Sequence, residues 1–243
     1  MTPDVTIFRA SDDQLTRLDV TASSLDEATL KTGHGTYSVF RLYRDRRALL
    51  LDRHLNRMRR SAETLGVPFP HTNESLRAML RRALDAAGID MPRVRLSVPY
   101  DDPRSAIIIL EPFQPPPAEV YAFGVRVGLA AARRAQPSAK DSRFIEQRRV
   151  LRDSQPGMYE VLLCDEDGYI LEGTTSNFYA VLDGQLHTAG EGMLEGVARS
   201  ILLDVAPGVL PVTLTAPHVD QLPLITEAML TSSSRGVVPV VGV

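Results

Sequence analysis

The chain has a single cysteine, Cys164, in 243 residues, so neither an internal disulfide nor a thiolate metal site can be built within it. That fits a reducing compartment, and no metal is expected. Long apolar runs are also missing: none approaches the roughly 20 residues of a membrane-spanning helix. Met1-Thr-Pro-Asp-Val5 lacks the basic segment leading into an apolar one that opens a secretory signal. These absences predict a cytoplasmic protein with no membrane partner. Charge of either sign is not in excess. The formal net charge is −3 and the arginines are scattered, which counts against nucleic acid as a partner and leaves a small anionic ligand open. Lysine is the scarcest charged residue, with only Lys31 and Lys140 among 27 Lys and Arg together. Codon bias in a GC-rich genome accounts for that trend. It nevertheless confines any chemistry that needs an amine nucleophile to two positions.

What is present is a hydrophobic content of 44%, enough for one large domain or two modest ones. Short strands are expected at Val5–Phe8 and Leu18–Thr21, and a hairpin from Gly33–Tyr43 through Arg44–Arg47 into Ala48–Leu51. Asp52 would cap a helix whose apolar positions Leu55, Met58, Ala62 and Leu65 recur at helical spacing, ending at Gly66. His54, Arg57 and Ser61 share a stripe on it. A second helix from about Asn73 to Gly88 precedes strands at Val94–Val98 and Ala106–Leu110. Glu111-Pro-Phe-Gln-Pro-Pro-Pro117 then favours a stiff extended connector. The boundary is set there: residues 1–111 as a smaller domain, 112–118 as the linker and 119–243 as a larger domain. Beyond it the pattern predicts a strand over Tyr121–Leu129, a helix over Arg143–Arg152, four strands between Tyr159 and Thr188, a helix from Gly196, and strands at Val209–Thr213, Glu227–Leu230 and Val237–Val241.

The most informative stretch runs from Leu171 to Arg199. Glu172-Gly-Thr-Thr-Ser176 places an acid and a hydroxyl-rich bend before the strand Asn177–Leu182. Leu194-Glu-Gly196 then opens an apolar-periodic helix. Backbone amides at such a helix start make a phosphate site.

Taken together, Glu172-Gly-Thr-Thr-Ser-Asn-Phe-Tyr179, Leu186-His-Thr188 and Leu194-Glu-Gly-Val-Ala-Arg199 resemble the signature of class IV aminotransferases. Gly33-x-Gly-x-Tyr37, His54-Leu-x-Arg57, Ser61-Ala62, Lys140 and Thr231-Ser-Ser-Ser234 followed by Pro239-Val240 fall at that family's landmarks. The resemblance implies an α/β (α+β type) chain with the two-domain architecture of fold-type IV pyridoxal-phosphate enzymes. These have a small N-terminal α/β sandwich and a larger C-terminal pseudo-barrel. It also implies a homodimer, pyridoxal 5'-phosphate as cofactor, and an amino donor and a 2-oxo acid as substrates.

By the same resemblance Lys140 is the amine that holds the cofactor and shuttles a proton, a role no arginine could fill. Lys31 is the other amine. Glu172 would face the pyridine nitrogen, with Glu160 and Glu195 as other acids nearby. The phosphate would be met by Arg57, by Gly196 and Val197 at the helix start, and by Ser232 or Ser233. Taken one at a time these are ordinary surface or turn residues; as a set they make a cradle. For a substrate carboxylate the sequence offers Arg41, Arg95, Arg104, Arg133 and Arg143 without choosing among them. Tyr37 and Phe40 are either pocket residues or core aromatics of an alternating strand.

Three departures bear on the substrate. Ser142-Arg-Phe-Ile145 stands where branched-chain members tend to carry a cofactor-contacting tyrosine. Val94–Val98 and Pro99-Tyr-Asp-Asp-Pro103 do not resemble the arginine motifs of branched-chain or D-amino acid members. Relatives usually continue beyond the region of Val243, so either a short variant or a missing tail is expected. The leading expectation is a transaminase. The rivals are 4-amino-4-deoxychorismate lyase chemistry, releasing pyruvate and 4-aminobenzoate, and a degenerate binding protein.

Overall fold

The structure is a computed structural model and describes residues 5–243. It divides into two compact units: one runs to Gln114 and takes in Ala139–Ile145, and the other holds Pro115–Ser138 and Glu146–Val243.

The first unit contains β1 (Thr6–Ala10), β2 (Leu15–Arg17), α1 (Leu25–Thr32), β3 (Gly35–Tyr43), β4 (Arg47–Ala48), α2 (Leu51–Leu65), α3 (Asn73–Ala87), β5 (Pro92–Pro99) and β6 (Ala106–Pro112). Its sheet has the order β2-β1-β6-β5-β3-β4 and is antiparallel throughout. Alternation along the strands sends Phe8, Phe40, Val94, Leu96, Ile108 and Leu110 toward the apolar stripes of α2 and α3. Ile7, Val39, Ile107 and Ile109 point the other way, toward Leu25 and Ala28 of α1. With both faces covered, the centre of the sheet reads as an unbroken apolar run, Ile107-Ile-Ile-Leu110.

Several local expectations need correction here. Leu18–Thr21 is not a strand; β2 lies earlier, and α1 follows, capped by the Ser24 hydroxyl, which accepts from the Glu27 N–H at 3.2 Å. The expected strand Ala48–Leu51 shrinks to two residues. Asp45 and Arg46 sit at positive φ, and Leu50, at φ 50°, turns the chain straight into α2. Asp52 is therefore inside the first helical turn, not at its cap, and its carboxylate meets Arg77 at 2.7 Å.

The second unit contains α4 (Ala118–Phe123), β7 (Val125–Ala131), most of α5 (Phe144–Asp153), β8 (Glu160–Cys164), β9 (Ile170–Gly173), β10 (Asn177–Leu182), β11 (Gln185–His187), α6 (Val197–Val205), β12 (Val212–Thr213), β13 (Glu227–Ser232) and β14 (Gly236–Gly242). The eight strands follow the order β12-β11-β10-β13-β14-β7-β8-β9. One core joins Val127, Leu162, Ile170, Phe178, Ala180, Leu230 and Val238, so the edge strand β9 shares its interior with β10, the third strand from the opposite edge. A sheet does that only by curling round its own side chains.

Tyr121–Phe123, expected as strand, forms the end of α4, and Gly124 separates it from β7. A Cβ there would lie 2.6 Å from the Val241 side chain, and its φ of +73° also favours glycine. The strand expected from Val209 begins at Val212, after a short helical turn over Ala206–Gly208. A division at the prolines assigns Lys140 to the later domain, whereas Ala139–Ile145 folds with the first unit, because this stretch hydrogen-bonds along β3.

Candidate active site

In the first unit the residues converge on Lys140. Its carbonyl accepts from the Tyr37 N–H at 3.1 Å, its N–H donates to Ser61 Oγ at 2.9 Å, and Asp141 bridges Thr36. Ser142 completes the seam: its N–H reaches the Gly35 carbonyl at 3.1 Å and its Oγ accepts from the Gly35 N–H at 2.9 Å. The loop that sequence patterning placed before a helix is thus pinned to β3 through a single bridge at Asp141. Lys140 Nζ lies 4.9 Å from the centre of the Tyr37 ring.

Arg57, buried on α2, donates from Nη2 to Ser38 Oγ at 2.8 Å, and Ser38 Oγ lies 2.8 Å from His54 Nδ1. Arginine can only donate, so the Ser38 oxygen accepts from it, and the same hydroxyl shares one hydrogen with His54 Nδ1. Burial, reinforced by the positive charges of Arg57 and Lys140, pushes the His54 pKa down to about 3, and the ring is neutral.

In the second unit Glu172 is almost wholly buried and its Oε1 accepts from Arg134 Nε at 2.7 Å; the same guanidinium donates from Nη2 to the Thr174 carbonyl at 3.1 Å. Gly196 caps α6 without a side-chain capping bond, and Val197 is its first residue. A Cβ on Gly196 would fall 2.2 Å from Asn177 Oδ1, while Asn177 Nδ2 donates to the Leu194 carbonyl at 2.8 Å. Asn177 therefore latches the start of α6 to β10, and only glycine fits the latch. Asn177 is also paired across the sheet with Thr231, which brings the Ser232–Gly236 turn to the same end. Ser232 Oγ accepts from the Arg235 N–H at 3.2 Å; Ser233 follows it in that turn.

The substrate candidates fall in different settings. Tyr37 is buried in β3 beside Lys140. Arg95 is committed to α1, donating to the Leu25 carbonyl (2.9 Å), Thr29 Oγ1 (2.6 Å) and Asp26 Oδ1 (2.6 Å). Arg41 stacks on Tyr43 and Phe113, four residues along β3 from Tyr37, roughly 13 Å at strand rise. Arg143 lies three residues after Lys140, exposed, with its Nε donating to Asp141 Oδ2 at 2.6 Å. Phe40 belongs to the core. Lys31 is exposed and paired with Glu27 at 2.6 Å.

Sequence reasoning missed Arg134, Ser38 and Arg235. Arg134 is indistinguishable in the sequence from Arg133, which is exposed and 3.7 Å from Glu166. Ser38 gives no motif signal at all. Arg235 follows a serine run that had already marked its turn as a place to look. Among the described residues, no cluster could hold a metal ion and no helix is long and apolar enough to cross a membrane.

A family model described as Amino-transferase class IV matches residues 35–243. The "Probable branched-chain-amino-acid aminotransferase" of Thermotoga maritima is 26% identical over 215 residues, spanning 84% of this chain and 75% of that protein. A solved structure of a "Putative 4-amino-4-deoxychorismate lyase" superposes with a TM-score of 0.74 at 27% identity, covering 90% of this chain and 88% of its own. The branched-chain aminotransferase of the archaeon Thermoproteus uzoniensis, solved with norvaline, shares the fold with a TM-score of 0.78 at 20% identity, covering 98% of this chain and 87% of its own.

Proposed function

The chain belongs to the class IV aminotransferase family, and from that premise we propose that it is a pyridoxal 5'-phosphate-dependent transaminase moving an amino group from an amino acid or amine to a 2-oxo acid. The observation that carries this reading is the fixing of Lys140. Of two lysines, one is a surface ion-pair residue and the other is held by backbone bonds on both sides with its amine over Tyr37.

The donor set fits the cofactor. An open helix start over which Asn177 permits only glycine suits a phosphate, and a buried carboxylate braced by an arginine suits a protonated ring nitrogen. When bound, pyridoxal phosphate supplies the electron sink for the substrate carbon. Lys140 Nζ holds the group and carries the proton that leaves that carbon. Glu172, kept in place by Arg134, accepts the hydrogen of the ring nitrogen. Arg57 gives the phosphate a fixed charge, oriented through Ser38 and His54, while Gly196, Val197 and one of Ser232 and Ser233 add further donors. Tyr37 and Arg143 are the proposed substrate contacts, chosen for their closeness to Lys140 in space and in sequence. A homodimer is part of the same reading, and sedimentation velocity checks it.

The second reading is a lyase that releases pyruvate from aminodeoxychorismate, favoured by the 27% identical neighbour that bears that name. The cofactor-loaded protein, mixed with a panel of L- and D-amino acids, is expected to convert its absorption band to that of the aminated cofactor with at least one donor. No conversion with any donor, together with pyruvate release from aminodeoxychorismate, would replace the transaminase reading with the lyase.

A further inference from the structure

One buried charged network in the second unit has no part in the chemistry above. Glu160, at the start of β8, is 4% exposed, and its carboxylate accepts from the hydroxyls of Thr174, Thr175 and Ser176 and from Arg235 Nη2, the last at 3.0 Å. Arg235 in turn donates to Thr175 Oγ1 at 2.6 Å and, from Nε, to Ser232 Oγ at 3.2 Å, and its guanidinium lies 5.3 Å from the Tyr159 ring. Its carbonyl accepts from Tyr121 at 2.8 Å. Burial alone would raise the Glu160 pKa, but Arg235 and the hydroxyls hold it below the usual carboxylate range. A buried carboxylate held by four donors, one on Oε1 and three on Oε2, is rigid, because none of those bonds is lost cheaply.

The bonds join two turns. Thr174–Ser176 connects Glu172 to β10, and Ser232–Arg235 connects β13 to β14. We propose that Glu160 and Arg235 are positioning residues for phosphate binding: together they fix the Ser232–Arg235 turn against the Thr174–Ser176 turn, so that the serines face the anion in one conformation. The inference rests on reading that turn as a phosphate contact.

The test compares pyridoxal 5'-phosphate with pyridoxal, which lacks the phosphate, by equilibrium titration of the protein freed of cofactor. Glu160→Gln replaces two acceptor oxygens by one and leaves Arg235 without its counter-charge. Its affinity for pyridoxal phosphate is expected to fall about tenfold or more while pyridoxal binding stays within about twofold of wild type. Arg235→Lys, in a side chain 21% exposed, keeps the charge but lacks the Nε donor to Ser232, and lowers the same ratio about fivefold with little change in melting temperature. If both variants keep the wild-type ratio of the two affinities, or lose both ligands in equal measure as their melting temperature drops, the pair is only structural and the proposal fails. A wild-type protein that binds neither compound removes the cofactor reading itself, and this proposal with it.

Discussion

At the scale of single residues, the chain separates amines, acids and arginines by what surrounds them. Of two neighbouring arginines, Arg134 is buried on Glu172 and Arg133 is exposed, and nothing in the local sequence tells them apart. Replacing Arg134 by alanine strands a buried carboxylate, so a loss of about 3 kcal/mol or more in unfolding free energy is expected by urea titration. An unchanged urea midpoint would show that Glu172 has another partner. His54 gives a pH signature. Its folded pKa of about 3 lies below the ordinary 6.5, so the unfolded chain binds the proton first. Stability is therefore full above about 6.5 and declines as pH falls toward 3, by at most about 1.4 kcal/mol per pH unit. Urea midpoints measured between pH 4 and 7 should fall more steeply for wild type than for His54→Gln; equal slopes would mean that the ring takes up its proton as readily in the fold as in the unfolded chain.

Elements were legible where period and punctuation agreed. The helix Asn73–Ala87 and the strands β5, β6, β8 and β10 lie where short apolar runs, alternation and caps put them. Short elements were not. Eight-residue α1 carries its start signal in Ser24-Leu-Asp-Glu27, but its stripe of Leu25, Ala28 and Thr29 is too brief to stand out from a polar background. What holds α1 is tertiary: Arg95 reaches from β5 to its first turn. Arg95→Ala should cost about 2–4 kcal/mol and loosen amide protection in Leu25–Thr32 specifically, as hydrogen exchange would reveal. At α6 the latch is just as specific. Gly196→Ala forces the helix start away from Asn177 and should weaken pyridoxal phosphate binding about tenfold, and wild-type affinity in that variant would refute the cradle.

At the scale of the whole molecule, the motif-bearing residues could be named from the sequence but their settings could not. Gly196 and Ser232 come to one end of the second sheet because β10 pairs with β13 and Asn177 holds α6, and Glu172, on β9, leads to β10 through the Thr174–Ser176 turn. That is a consequence of strand register, which no local pattern states. Lys140 is the sharper case. A linear reading puts it with the residues that follow the proline-rich connector, yet its stretch is hydrogen-bonded along β3 in the first unit. Every role proposed for the site depends on that lysine. The most direct measurement is to load the protein with pyridoxal 5'-phosphate, reduce the linkage with borohydride and locate the added mass by peptide mass spectrometry. A phosphopyridoxyl group is expected on the peptide containing Lys140 and none on Lys31; an adduct on Lys31, or no adduct at all, would contradict the assignment.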